Sequence, residues 1–303
     1  MNARVRFAAG IILAGLLSLA GCSVIDQGTQ ILGKAETVAE KGEKIVDTAK
    51  KLRSAFTDFT EEEEYYIGRS VAAIILGQYP PLNNPALNQY VNNVGNAVAL
   101  FSARPEIFAG WHFQVLDTDE VNALAAPGGF VFITKGLLKR CADEESLGLI
   151  LAHEVGHVVA KHGLQSIQKA NLTQAFTSIG VEAVKAYGSA QLAQVTAAFE
   201  GVLSDIVEKL ITRGYDRKFE YEADALAVGI GSGTGYDPNG ISRFLQTMVG
   251  DKSAVSGKGW FKTHPTPEQR IDRVKSEIAG LKTVPAVAAV RTQRFKAAVA
   301  PLK

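Results

Sequence analysis

One stretch constrains this chain more than any other: Leu149-Ile150-Leu151-Ala152-His153-Glu154-Val155-Gly156-His157-Val158-Val159. Its background is apolar and helix-forming. On a helix, His153 and His157 lie one turn apart on one face, and two imidazoles so placed can hold one metal ion. Glu154 lies beside them, where its carboxylate can act on a water at that metal. Two histidines and an adjacent glutamate in this spacing point to a zinc-dependent hydrolase of amide bonds. The same donors with one further carboxylate also suit non-haem iron, but the glutamate beside the first histidine favours hydrolysis. The pentad is incomplete by itself: a third ligand, a cleft and a compartment must come from elsewhere in the chain.

With 303 residues, 47% of them hydrophobic, the chain can bury a sizeable core as one large domain or two small ones. The formal net charge of +1 gives no electrostatic case for nucleic acid or for a polybasic membrane surface. The two cysteines, Cys22 and Cys141, make neither a disulfide framework nor a cysteine zinc cluster. Cys141 reads as a small buried hydrophobe.

Residues 1–21 read as a leader. Arg4 and Arg6 precede an apolar run, Ala8 to Ala20, that is too short to span a bilayer. The run ends Leu19-Ala20-Gly21-Cys22, which resembles a bacterial lipobox. That resemblance implies cleavage before Cys22, a lipid on the new terminal cysteine, and a periplasmic protein anchored to a membrane. Ser23 in place of aspartate points to the outer membrane. Residues 22–59 are polar and read as a tether or neck, with a helix between Lys34 and Phe56. An ordinary helix packed on the body fits the same pattern.

The folded body is expected over 60–282. Thr60 and Glu63 have the form of a capping box, and Glu61 to Glu64 read as a capped, solvated helix start. That helix carries Ile67, Val71, Ile74 and Ile75 and ends at Pro80-Pro81. A second helix after Pro85 has the stripe Leu87, Val91, Val94, Val98 and Phe101. Trp111 to Leu116 and Phe130 to Thr134 alternate as two short strands, separated by a turn-rich loop from Asn122 to Gly129. An exposed edge along Phe130–Thr134 is expected to hold an extended peptide, with Asn122 near the cleft. A purely supporting sheet is the competing reading. Asp143, Glu144 and Glu145 open the metal helix. Residues 164–214 look like a helical insertion without chemistry, and 283–303 like a packed or trailing tail.

For the third ligand, His162 is five residues past His157, about 140° round a continuing helix, and so points elsewhere. His112 lies in a strand and reads as structural or cleft-lining. Glu220 and Asp224 share one helix face in Phe219-Glu220-Tyr221-Glu222-Ala223-Asp224. Glu220 completes a two-histidine, one-glutamate site, and Asp224 accepts a hydrogen bond from a ligand imidazole. Glu222 is the alternative ligand. It is about 200° from Glu220, so only one of the two faces the metal.

His-Glu-Val-Gly-His followed by Glu-Tyr-Glu-Ala-Asp resembles the zinc metallopeptidase family that includes the CAAX prenyl protease and HtpX. Asn122 to Leu138 and Thr263 to Ile271 resemble further segments of that family. The absence of long transmembrane runs makes the chain similar to its periplasmic lipoprotein branch. The resemblance implies an α+β, mainly helical, zincin-like fold with a small β-sheet beside the metal helix. It implies one Zn²⁺ per chain on His153, His157 and Glu220, Glu154 as general base, and Asp224 behind the ligands. His264 matches a histidine that can sit at the open metal position and restrain activity. It can equally be a loop residue before the helix cap at Thr266-Pro267. Arg270 matches a family arginine near the cleft, with a helix-face ion pair as its plain alternative. The expected activity is endopeptidase action on misfolded or flexible envelope proteins. The alternative is a chaperone or assembly factor for outer-membrane proteins whose protease activity is latent. Oligomeric state is not legible.

Overall fold

The computed structural model describes residues 59–169, 207–208, 214–249, 264 and 266–302. The leader, Cys22, the tether with its expected helix, and most of the 164–214 insertion lie outside these residues. Helix α1 (Glu61–Gln78) begins where its capping residues dictate. Thr60 Oγ1 accepts from the Glu63 N–H at 3.2 Å, and Glu63 Oε2 accepts from the Thr60 N–H at 2.6 Å. The run Glu61–Glu64 is not uniformly solvated, as its charge had suggested. Glu64 is buried, accepting from both terminal nitrogens of Arg104 (3.0 and 3.1 Å) and from the Gly128 N–H. A buried carboxylate needs such donors, and they tie α1 to the turn over the sheet.

Helix α2 (Pro85–Ala99) has Asn84 as its cap and buries Leu87, Val91, Val94 and Val98. Phe101, expected on that stripe, lies past the helix end and is 57% exposed. Three strands follow: β1 (His112–Leu116), β2 (Ala123–Ala126) and β3 (Phe130–Thr134), in the order β1-β3-β2. β1 runs parallel to β3, and β2 antiparallel to it. Two expectations need correction. The Asn122–Gly129 loop contains a strand, β2. Phe130–Thr134 is the central strand, hydrogen-bonded on both sides, so it has no edge to offer a peptide; the outer edge beside the metal helix belongs to β2. A turn at Pro127–Gly129 joins β2 to β3, with Gly128 at φ 69°. A Cβ there would come within 2.6 Å of Tyr65 Cα, so glycine serves both the left-handed backbone and the close approach to α1.

Helix α3 (Lys135–Arg140) leads past buried Cys141 to α4 (Glu144–Val159), capped by Asp143. Every α4 residue from Glu144 to Val158 is buried. Around it pack α2, β2, α6 (Arg217–Gly233), α7 (Asn239–Met248) and α9 (Ala289–Val299). α5 (His162–Lys169) follows α4 directly, and α8 (Pro267–Ala279) packs on α6 and α7. The mainly helical α+β architecture is the expected one. Among the described residues no helix is long and apolar enough to cross a membrane.

Residues 283–303 do more than trail. Helix α9 buries Phe295 and Val299, and the compact unit runs from Phe59 to Lys303. Arg294 Nε donates to Glu144 at 2.7 Å, and Arg291 donates to Glu145 at 3.2 Å. Both glutamates are 0% exposed, and Tyr90 and Tyr236 add hydroxyl donors to Glu144 at 2.8 and 3.0 Å. Deleting residues 283–303 strips the guanidinium partners from two buried carboxylates. Urea denaturation of the truncated chain is expected to show a loss of about 3–5 kcal/mol.

Asp237 anchors the start of α7. It accepts from the Asn239 N–H at 3.0 Å and from Arg243 at 2.6 Å, while its own N–H donates to Glu145 at 2.9 Å. Burial alone would raise its pKa, but the hydrogen bonds from Arg243 and Asn239 win and hold it below the usual aspartate value. A depressed carboxyl contributes stability above its unfolded pKa of about 4 and loses it as pH falls through the folded value. Asp237→Asn is therefore expected to cost about 1–2 kcal/mol at pH 7. That difference should shrink below about pH 4 in paired urea titrations.

Candidate functional site

Two imidazoles from α4, one carboxylate from α6 and one imidazole just before α8 converge. His153, His157, Glu220 and His264 each offer an atom within 4.8 Å of the others, and all four are buried. His153 Nε2 and His157 Nε2 are 3.1 Å apart. Glu220 Oε2 is 3.6 Å from the first, and Oε1 is 3.5 Å from the second. His264 Nδ1 is in direct contact with Glu220 Oε2. Imidazole nitrogens and carboxylate oxygens converging this closely form a donor set that one divalent cation can hold together. Glu220 Oε1 and Glu154 Oε1 are buried with no hydrogen-bond partner among the described residues, a costly state for carboxylate oxygens without a cation or water nearby. Three imidazoles and a carboxylate are also the donor set that zinc prefers.

Behind these donors stands a buried ion pair. Asp224 Oδ1 is 3.0 Å from His153 Nδ1. Arg270 is 0% exposed and grips Asp224 through Nη2 at 2.6 Å and Nε at 3.0 Å, with Nη2 also 3.3 Å from His153 Nδ1. Arg270 is thus no helix-face ion pair. It lies in the wall of the site and holds the carboxylate that orients His153.

Electrostatics separate the carboxylates. Burial pushes Glu154 up to about 7. Burial would also raise Asp224, but the Arg270 guanidinium and the hydrogen bonds from His153 and Arg270 hold it at about 2. Glu220 is likewise held well below the usual range, because His264, His153 and His157 outweigh its burial. Burial lowers His264 to about 4 and holds His157 well below the usual imidazole value, leaving both neutral and able to donate lone pairs.

Glu154, Tyr215 and His264 share an open pocket of about 390 Å³ with Val71, Ile75 and Leu124. The Tyr215 hydroxyl donates to Ala125 O on the β2 edge at 2.9 Å, and its ring stacks on His157. Asn122 is buried at the start of β2, next to Ala123 in the pocket wall, and is tied to Thr134 through its backbone. His112 is exposed and stacks on Phe130, apart from the donor group. Cys141 is buried, and burial raises its thiol pKa.

Sequence reasoning passed over two residues. Tyr215 carries no motif signal. His162 was directed away from the site on the assumption of a continuous helix, but Lys161 adopts φ 57° and breaks it. His162 then turns back beneath His157, with Nδ1 to Nδ1 at 2.9 Å and Nε2 3.3 Å from Glu222.

Comparison with known proteins points the same way. The profile described as "Peptidase family M48" matches residues 85–278. The beta-barrel assembly-enhancing protease of Escherichia coli K12 is 27% identical over 248 residues, covering 78% of this chain and 49% of that protein. The mitochondrial metalloendopeptidase OMA1 of Schizosaccharomyces pombe is 27% identical over 229 residues, 74% of this chain and 63% of its own length. The Bos taurus mitochondrial OMA1 metalloendopeptidase is 27% identical over 168 residues, 54% and 32% respectively. The chain spans about half the length of the first of these relatives.

The buried pair gives a direct test. Arg270→Met leaves Asp224 buried without its cation and is expected to destabilise the metal-free protein by about 3–5 kcal/mol in urea. Arg270→Lys, which cannot reproduce the two-pronged contact, should recover only part of that loss.

Proposed function

The chain belongs to peptidase family M48, and from that premise we propose that it is a zinc-dependent endopeptidase of the bacterial cell envelope, acting on unfolded or flexible polypeptides. The observation that carries this reading is the convergence of His153, His157 and Glu220 near Glu154, whose Oε1 is buried with no hydrogen-bond partner among the described residues. A zinc ion held by His153, His157 and Glu220 would supply an acidified water and polarise the scissile carbonyl. Glu154 takes the proton released in the attack and delivers it to the departing amine. Its upward shift to about 7 suits it to both halves of that transfer near neutral pH. Asp224 and Arg270 keep His153 in one orientation.

An extended peptide along the outer edge of β2 would lie beside Glu154, with main-chain hydrogen bonds giving affinity without strong side-chain demands. Access by a strand along that edge favours flexible chains over compact ones. Similarity to relatives named beta-barrel assembly-enhancing proteases supports a role in envelope protein quality control. The leader-like residues 1–21 and the lipobox at Cys22 support a periplasmic protein held by a lipid, and Ser23 supports the outer membrane. His264 favours a second reading, in which an assembly factor keeps its protease activity in check. It contacts Glu220 and shares the pocket with Glu154, where it limits access.

Casein digestion by the zinc-loaded chain tests the proposal. Wild type should cleave, and Glu154→Gln should be at least about 100-fold slower while still carrying one zinc per chain. Glu220→Ala should lose the zinc. His264→Ala should cleave faster if the histidine restrains the site. A zinc-loaded wild type that cuts nothing the Glu154→Gln protein spares would overturn the protease reading.

A further inference from the structure

We propose that His162 is a positioning residue which, backed by Glu222, fixes the tautomer and orientation of His157 for metal binding. The inference rests on the metal reading above and concerns the side of the site that Asp224 and Arg270 do not reach.

His157 Nε2 faces His153 Nε2 and Glu220 Oε1. To offer a lone pair in that direction, neutral His157 must carry its proton on Nδ1. That nitrogen lies 2.9 Å from His162 Nδ1, so His162 must accept there. Neutral His162 then carries its proton on Nε2, which points at Glu222 Oε2 at 3.3 Å. With the His157 Nε2 lone pair given to the metal, one assignment satisfies the His157–His162 and His162–Glu222 contacts, and it runs from a carboxylate through two imidazoles to the metal-facing nitrogen. It is the usual carboxylate–histidine support of a metal ligand with one imidazole inserted.

The surroundings fit this role. His162 is 0% exposed and its ring is clamped against Phe219, with centroids 4.3 Å apart. The left-handed Lys161 brings it under His157. Glu220, Glu222 and Asp224 all come from α6. One carboxylate faces the metal, one supports His153 directly, and one supports His157 through His162.

The test is zinc affinity of the full chain, measured by competition with a chromophoric chelator, alongside the melting temperature of the metal-free protein. His162→Phe keeps the ring and removes both hydrogen bonds, and should weaken zinc binding about 10–100-fold. His162→Asn packs worse but places Oδ1 where Nδ1 stood, and should recover most of that affinity. A packing role predicts the opposite order, so a phenylalanine variant that holds zinc as well as wild type, or better than the asparagine variant, overturns the proposal. Glu222 is half-exposed, so Glu222→Ala should fold and should lose about 3–10-fold in affinity. If His162→Phe does not fold, unchanged affinity in Glu222→Ala decides against the relay. A wild type that binds no zinc removes the metal site itself, and with it this proposal, whereas zinc in wild type and His162→Phe alike removes the proposal alone.

Discussion

Everything in this fold answers to the complete burial of a helix that carries ionisable groups at both ends. α4 is buried from Glu144 to Val158, which an apolar helix tolerates freely. Five of its residues, however, are glutamates and histidines. Each removes a polar or charged group from water and so demands a partner from another element. The demand at the N-terminal end is met by Arg291, Arg294, Tyr90 and Tyr236. At the C-terminal end it is met by Glu220, Asp224, Arg270 and His162. The packing order around α4 follows from these two sets as much as from apolar contact.

One short helix segment shows how position sorts identical chemistry. Glu220, Glu222 and Asp224 lie within five residues of α6, yet each meets a different environment. Glu220 is surrounded by imidazoles. Asp224 is gripped by a guanidinium on one side and supports an imidazole on the other. Glu222 is half in solvent and contacts His162. Glu154, next to His153, has an Oε1 without a hydrogen-bond partner among the described residues, and burial pushes the group towards neutrality. Carboxylates held ionised and one poised near 7 arise from neighbours and burial, not from residue type.

Much of this was legible in the chain. Helical spacing put His153 and His157 on one face of their helix and Glu220 and Asp224 on one face of theirs, and local capping chemistry located the starts of α1, α4 and α8. What escaped reading depended on tertiary context. Ala123-Leu124-Ala125-Ala126 has no β-branched residue, so its propensity speaks for a loop; pairing with β3 and cover from α1 and α4 make it a strand. That hidden strand also changed which edge is open, because strand order is a long-range property. His162 was misdirected by a single backbone angle at Lys161, a residue whose side chain does not signal a left-handed turn. Arg291 and Arg294 looked like ordinary tail charges because the carboxylates they meet are about 150 residues earlier in the chain.

The two-ended anchoring of α4 bears on the chemistry between those ends. A metal ligand works only if its lone pair is held in place before the metal arrives, since ordering it afterwards subtracts from affinity. His153 and His157 sit on a helix that cannot slide: its first turn is pinned by two arginine–glutamate pairs, and its last turn stops at a left-handed residue that folds the chain back under the second histidine. Across from it, Glu220 belongs to a helix packed so closely that a Cβ at Gly156 would lie 3.2 Å from Leu226 Cβ. The imidazole pair and the carboxylate are therefore positioned by rigid elements. His264 is held differently, from a segment between α7 and α8, and touches the same carboxylate.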